Sequence, residues 1–182
     1  MTITSQVHGL SLDSPKLYDF YRTVCDLDAV VFVHPALVPT GYEHLNDYDL
    51  PRVLGREVDL TVATTRLIAG GILDRFPSLK IVMGHFGGGI AAVKDRLVAK
   101  GYRFGTLKRP FADYYDMVYF DMAGFEGGLA ALNCAFRSVG SLTDRSADLP
   151  AGSANVNVAP RPDTGSRSRD ISPPGHPQGA LG

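Results

Sequence analysis

Three short apolar runs, each closed by a polar group and followed by a helical pattern, constrain this 182-residue chain more than any other feature. Val30-Val31-Phe32-Val33 ends at His34-Pro35, Lys80-Ile81-Val82-Met83 runs into Gly84-His85, and Met117-Val118-Tyr119-Phe120 ends at Asp121. Runs of this length, rich in β-branched residues and without polar alternation, are expected of strands buried on both faces of a parallel sheet. Parallel strands need crossover helices, and the intervening segments supply the pattern. Ser14-Pro15 reads as an N-cap with proline at the first helical position, and Leu17, Phe20, Val24 and Leu27 continue it, predicting a helix over 15–27. Val58, Val62 and Leu67 predict a second over about 57–69, interrupted by Gly70-Gly71, with one more turn over 72–76. Ile90, Val93 and Leu97 mark a third helix, and Leu129, Leu132 and Phe136 a fourth. Residues 36–55 read as loop, and residues 3–7 as a further strand ahead of the first helix. The expected class is therefore α/β with a parallel sheet, whose chemistry sits at the carboxyl ends of the strands.

The polar residues fall where that rule expects them. His34, His85 and Asp121 end successive strands, so three potential ligand or acid–base groups converge on one rim. Histidine with carboxylate suits a divalent metal site, in which the ion polarises an oxygen or lowers the pKa of bound water to about 7. Each residue also has a plainer reading. A histidine at a strand end can simply bond a neighbouring carbonyl, and Asp121 can cap the segment after it. Gly87-Gly88-Gly89 are poor helix and strand formers; their use implies close backbone approach to a ligand, a metal-bound water or a neighbouring helix. GHFGGG does not fit GxGxxG, and no GK[ST] follows, so nucleotide binding is a minor alternative. His8 and His44 read as loop or substrate-facing groups, and His176 is set aside.

Composition bounds the partners. Eighteen Lys and Arg against 19 Asp and Glu give a net charge of −1, without the basic excess that nucleic acid or an anionic membrane requires. The two cysteines, Cys25 and Cys134, form no CxxC pair, which argues against a disulfide framework and fits a reducing cytoplasm. No leader-like start and no run of ~18 apolar residues is found, so neither secretion nor a membrane span is expected. Residues 141–182 contain no aromatic, no Lys and no Glu, and are largely Ser, Pro and Gly. They are expected to form a disordered tail after a folded region over 1–140, because they bury too little apolar surface to offset backbone ordering. The abrupt change also fits a replaced or out-of-frame terminus.

VFVHP, the segment RLIAGGILDRFPSLKIVMGHFGGG and the downstream VKDRL resemble the amidohydrolase superfamily. The likeness is to its metal-dependent decarboxylases, which include aminocarboxymuconate-semialdehyde and resorcylate-type decarboxylases. It covers about residues 3–139. It implies a portion of a (β/α)8 TIM barrel, about strands four to seven, since a full barrel needs ~250 residues. By resemblance His34 is a ligand of the catalytic metal, zinc by preference or manganese, and His85 moves a proton to or from substrate. The substrate implied is a small, aromatic or unsaturated carboxylic acid, with Gly87, Gly88, Gly89 and Asp121 lining its site. The family's HxH or ExH pair and its GTDYP-like aspartate have no counterpart here; Asp121, at the seventh strand by count, is not that ligand. Two functions follow: a metal-dependent carboxy-lyase or hydrolase, or a catalytically silent remnant or interaction subunit. Open strand edges would call for a partner chain or a second copy to complete the barrel.

Overall fold

The computed structural model describes residues 1–105, 107–122 and 128–138. Four parallel strands form the sheet: β1 (Thr2–Thr4), β4 (Val30–His34), β5 (Lys80–Met83) and β6 (Tyr119–Phe120), in the order β1-β4-β5-β6. Strand order thus follows chain order, as in successive units of a parallel barrel wall. The predicted strand over 3–7 divides in two. β1 ends at Thr4, and the chain then turns into a small antiparallel ribbon of β2 (Gln6–Val7) and β3 (Leu10–Ser11). The run at 117–120 narrows to Tyr119–Phe120 because Met117 and Val118 take up backbone bonds from their amides to Tyr114 and Tyr115.

Helix α1 (Tyr18–Asp26) follows a turn of 3-10 helix at Pro15–Leu17, and the Ser14 side chain accepts from the Lys16 amide as the N-cap reading requires. Its Tyr21 and Val24 are buried, whereas Leu27, expected on the same face, is exposed just beyond its end. In α2 (Arg56–Ala69) the buried face is Leu60, Ala63, Thr64, Leu67 and Ile68, and Val62 points to solvent. Of the expected stripe Leu67 is buried, Val58 is half-buried and Val62 is exposed, so the period holds and the buried face is centred on Leu60, Thr64 and Leu67. Gly71 adopts φ +72° and starts α3 (Ile72–Arg75) after the break at Gly70. The remaining helices are α4 (Ile90–Lys100), α5 (Phe111–Tyr115) and α6 (Gly128–Ser138). The span 36–55, expected as loop, holds short helical turns at Glu43–Leu45 and Pro51–Gly55, and α5 was not foreseen from spacing.

The core lies between the sheet and these helices. Val31, Val33, Ile81 and Met83 from the strands meet Leu60, Leu67, Ile68, Ile72 and Leu73 from the helices, all with no solvent exposure. At the carboxyl ends of β1 and β4, Thr4 and His34 lie opposite each other in register. Among the described residues no helix is long and apolar enough to cross a membrane. The proposed tail over 141–182 lies outside the described residues.

Candidate active site

Backbone bonds continue past the strand ends and hold the rim in register. Ser5 N–H donates to the His34 carbonyl at 2.9 Å, Gly84 N–H to Val33 at 2.9 Å, and Asp121 N–H to Met83 at 2.9 Å. The rim therefore carries Ser5, His34, Gly84-His85 and Asp121 side by side. His34 is exposed, whereas His85 and Asp121 are buried. The two imidazoles meet edge to face, with ring centroids 5.6 Å apart and planes at 90°.

His85 owes its position to an unusual backbone. His85, Phe86, Gly87 and Gly88 all take positive φ, at 50°, 52°, 68° and 70°. Two consecutive non-glycine residues in that region cost energy that the surroundings must over-determine. The surroundings do so: Phe86 N–H donates to the Asp121 carbonyl at 2.8 Å, Gly87 N–H to Gly84 at 2.8 Å and Gly88 N–H to His85 at 2.9 Å. Gly89 N–H donates to Thr61 Oγ1 at 2.8 Å, and Thr61 in turn donates to the Glu57 carbonyl at 2.8 Å. A β-carbon at Gly88 would land on that same Glu57 carbonyl oxygen, and one at Gly87 would sit 2.9 Å from the Phe120 ring. Of the close approaches the glycines were expected to permit, the one seen is to a helix: they let the loop seat on the first turn of α2. Asp121, expected as a substrate contact, supplies main-chain bonds on both sides of this turn.

Each histidine has one ring nitrogen engaged. His34 Nδ1 lies 3.0 Å from the Pro35 carbonyl, which can only accept, so Nδ1 is the donor and Nε2 is the nitrogen left to a ligand. The plain carbonyl-bonded reading of His34 and the ligand reading therefore hold together, because metal-binding histidines commonly donate their other N–H to a carbonyl. His85 Nδ1 lies 2.7 Å from Glu57 Oε1. Glu57 went unnoticed in the sequence, since no local motif pairs it with a histidine 28 residues away. Asp59, also unnoticed, is a buried carboxylate that accepts from Ser5 Oγ, from Gln6 Nε2 at 2.7 Å and from the Tyr42 hydroxyl at 3.3 Å, tying α2 to the end of β1. Burial and the Asp59 carboxylate push the Tyr42 hydroxyl up to about 12. Among the described residues no three His, Cys, Asp or Glu side chains form a group able to hold a metal.

The amidohydrolase family profile matches residues 1–126, and the chain belongs to that family. The 2-amino-3-carboxymuconate-6-semialdehyde decarboxylase of Dictyostelium discoideum is 35% identical over 86 residues, covering 47% of this chain and 24% of its own. The crystal structure of 5-carboxyvanillate decarboxylase from Sphingomonas paucimobilis superposes with a TM-score of 0.70 at 24% identity, covering 78% of this chain and 45% of that one. The Novosphingobium aromaticivorans 5-carboxyvanillate decarboxylase, solved with manganese and 4-hydroxy-3-methoxy-5-nitrobenzoic acid, gives 0.67 at 24% identity over 78% of this chain and 44% of that one. These solved structures share the fold, a TIM barrel of which this chain's parallel wall is part. The chain spans less than half the length of each of these relatives.

Proposed function

We propose that this chain is the part of a metal-dependent decarboxylase that carries one metal ligand and the proton-moving histidine, acting on a small aromatic carboxylic acid. The observation that carries this reading is the pairing of His34 and His85 at the carboxyl ends of adjacent parallel strands, ring centroids 5.6 Å apart, each with Nδ1 engaged. His34 would hold a divalent ion, manganese or zinc, through Nε2. The described residues do not complete a ligand set, so the remaining ligands must come from elsewhere in the barrel.

The protein's own part in the chemistry is proton delivery. Protonated His85 gives its proton to the ring carbon that bears the carboxylate. The bond from that carbon to the carboxylate then breaks, its electron pair returns to the ring, carbon dioxide leaves, and neutral His85 is reprotonated from water. Burial of His85 beneath the 84–89 turn keeps bulk water from competing for that proton. Gly87, Gly88 and Gly89 serve the site by seating this turn on α2, and Asp121 by its main-chain bonds to it, and a reducing cytoplasm suits the two free cysteines. A second copy or a separate chain that closes the barrel is part of the same proposal, because β1 and β6 are edge strands of the described sheet.

The reading is tested by completing the barrel with the flanking segments of the Sphingomonas paucimobilis enzyme. Manganese retained after dialysis and carbon dioxide release from 5-carboxyvanillate are then measured. Both are expected, and both are expected to be lost in His34→Ala. Undiminished metal and turnover in His34→Ala would overturn the assignment.

A further inference from the structure

Glu57 is held against His85 by more than its own side chain. Its carbonyl oxygen receives the Thr61 hydroxyl, which also receives the Gly89 amide, and Gly88 abuts the same oxygen with no room for a β-carbon. The turn that carries His85 is therefore fastened to the very residue whose carboxylate meets His85 Nδ1 at 2.7 Å. A carboxylate oxygen accepts in such a contact, so the hydrogen in it belongs to Nδ1. The His85 side chain is only 10% exposed and Glu57 37%, so water competes for this contact from the glutamate side alone.

We propose that Glu57 is a positioning residue that fixes His85 in the Nδ1–H tautomer and in one ring orientation, so that the proton exchanged with substrate passes through Nε2. This rests on the proton-moving role given to His85 above. A ring free to flip or to change tautomer would present the reactive nitrogen in only part of the population. A ring locked by a carboxylate presents it in all of it, as in other catalytic and metal-binding histidines oriented through their second nitrogen. No sequence motif marks the pairing, because it depends on the left-handed turn at His85–Gly88 and on the first turn of α2.

The test is the ring nitrogen NMR spectrum of the 182-residue chain at a pH where histidine is neutral, with the His85 signals assigned by their loss in His85→Asn. Wild-type His85 is expected as the Nδ1–H form, and Glu57→Ala is expected to move it toward the Nε2–H form that a free imidazole favours, with the remaining amide spectrum retained. A wild-type spectrum showing Nε2–H overturns the proposal whatever the variant does. An unchanged tautomer in folded Glu57→Ala also overturns it. Neither readout needs metal, substrate or turnover, so failure here leaves the decarboxylase reading standing, and loss of that reading leaves the tautomer result intact.

Discussion

The His34 and His85 rings stand perpendicular with centroids 5.6 Å apart, one exposed and the other buried. Adjacent parallel strands bring them together although 51 positions separate them, and the proposed reading gives the exposed and the buried ring two different tasks. An exposed imidazole with a free Nε2 can take a ligand from outside, whereas a buried one backed by a carboxylate is suited to hold and release a proton.

The glycine loop is expected to be intolerant for reasons of packing. Gly88→Ala must place a β-carbon on the Glu57 carbonyl at φ +70°, so either the turn or α2 has to move. A loss of at least about 1 kcal/mol in urea unfolding is expected, together with a changed His85 environment in the NMR spectrum. Gly89→Ala, with nothing nearer than the Thr61 hydroxyl at 3.5 Å, should be close to neutral.

The core assignment is tested at Leu67, which is fully buried on α2 among the strand residues. Leu67→Ala should cost about 2–5 kcal/mol by loss of buried methyl groups and the cavity left behind. Val62→Ala, on the exposed face of the same helix, should stay within about 0.5 kcal/mol.

Alkaline pH should weaken the fold. Burial raises the Tyr115 hydroxyl to about 12, with Ser138 bonding opposing the rise, and burial with the Asp59 charge raises Tyr42 to about 12. An unfolded tyrosine ionises near about 10, so above that pH the unfolded chain releases protons that the folded chain keeps. The stability these hydroxyls contribute is whole below about pH 10 and is lost progressively toward about pH 12. Urea midpoints measured across that window should fall, and the fall should be shallower in Tyr115→Phe.

The buried strands and the two rim histidines were legible because each rests on a local signal, an apolar run and then a polar residue at its end, whereas the order of the strands came from the family resemblance. The buried stripe of α2 was placed correctly at Leu67 but not at Val62, because a helix with apolar residues on more than one side has no local signal for which side faces the sheet, and packing decides it. Met117 and Val118 looked like strand, but their amides are committed to the turn after α5. Glu57 and Asp59 could not be read as site residues, since acids in a first helical turn commonly serve the helix dipole alone. Their partners, His85 and Ser5, lie 28 and 54 positions away and become neighbours only through the parallel crossovers.

The most direct measurement follows decarboxylation of 5-carboxyvanillate in heavy water by the completed barrel, comparing native His85 with His85→Ala. Deuterium should appear at the vacated ring carbon of the product, and the alanine variant should form that product ~10²–10⁴-fold more slowly while retaining manganese. Product formed by His85→Ala at the unaltered rate would show that another group delivers the proton, and would contradict the account.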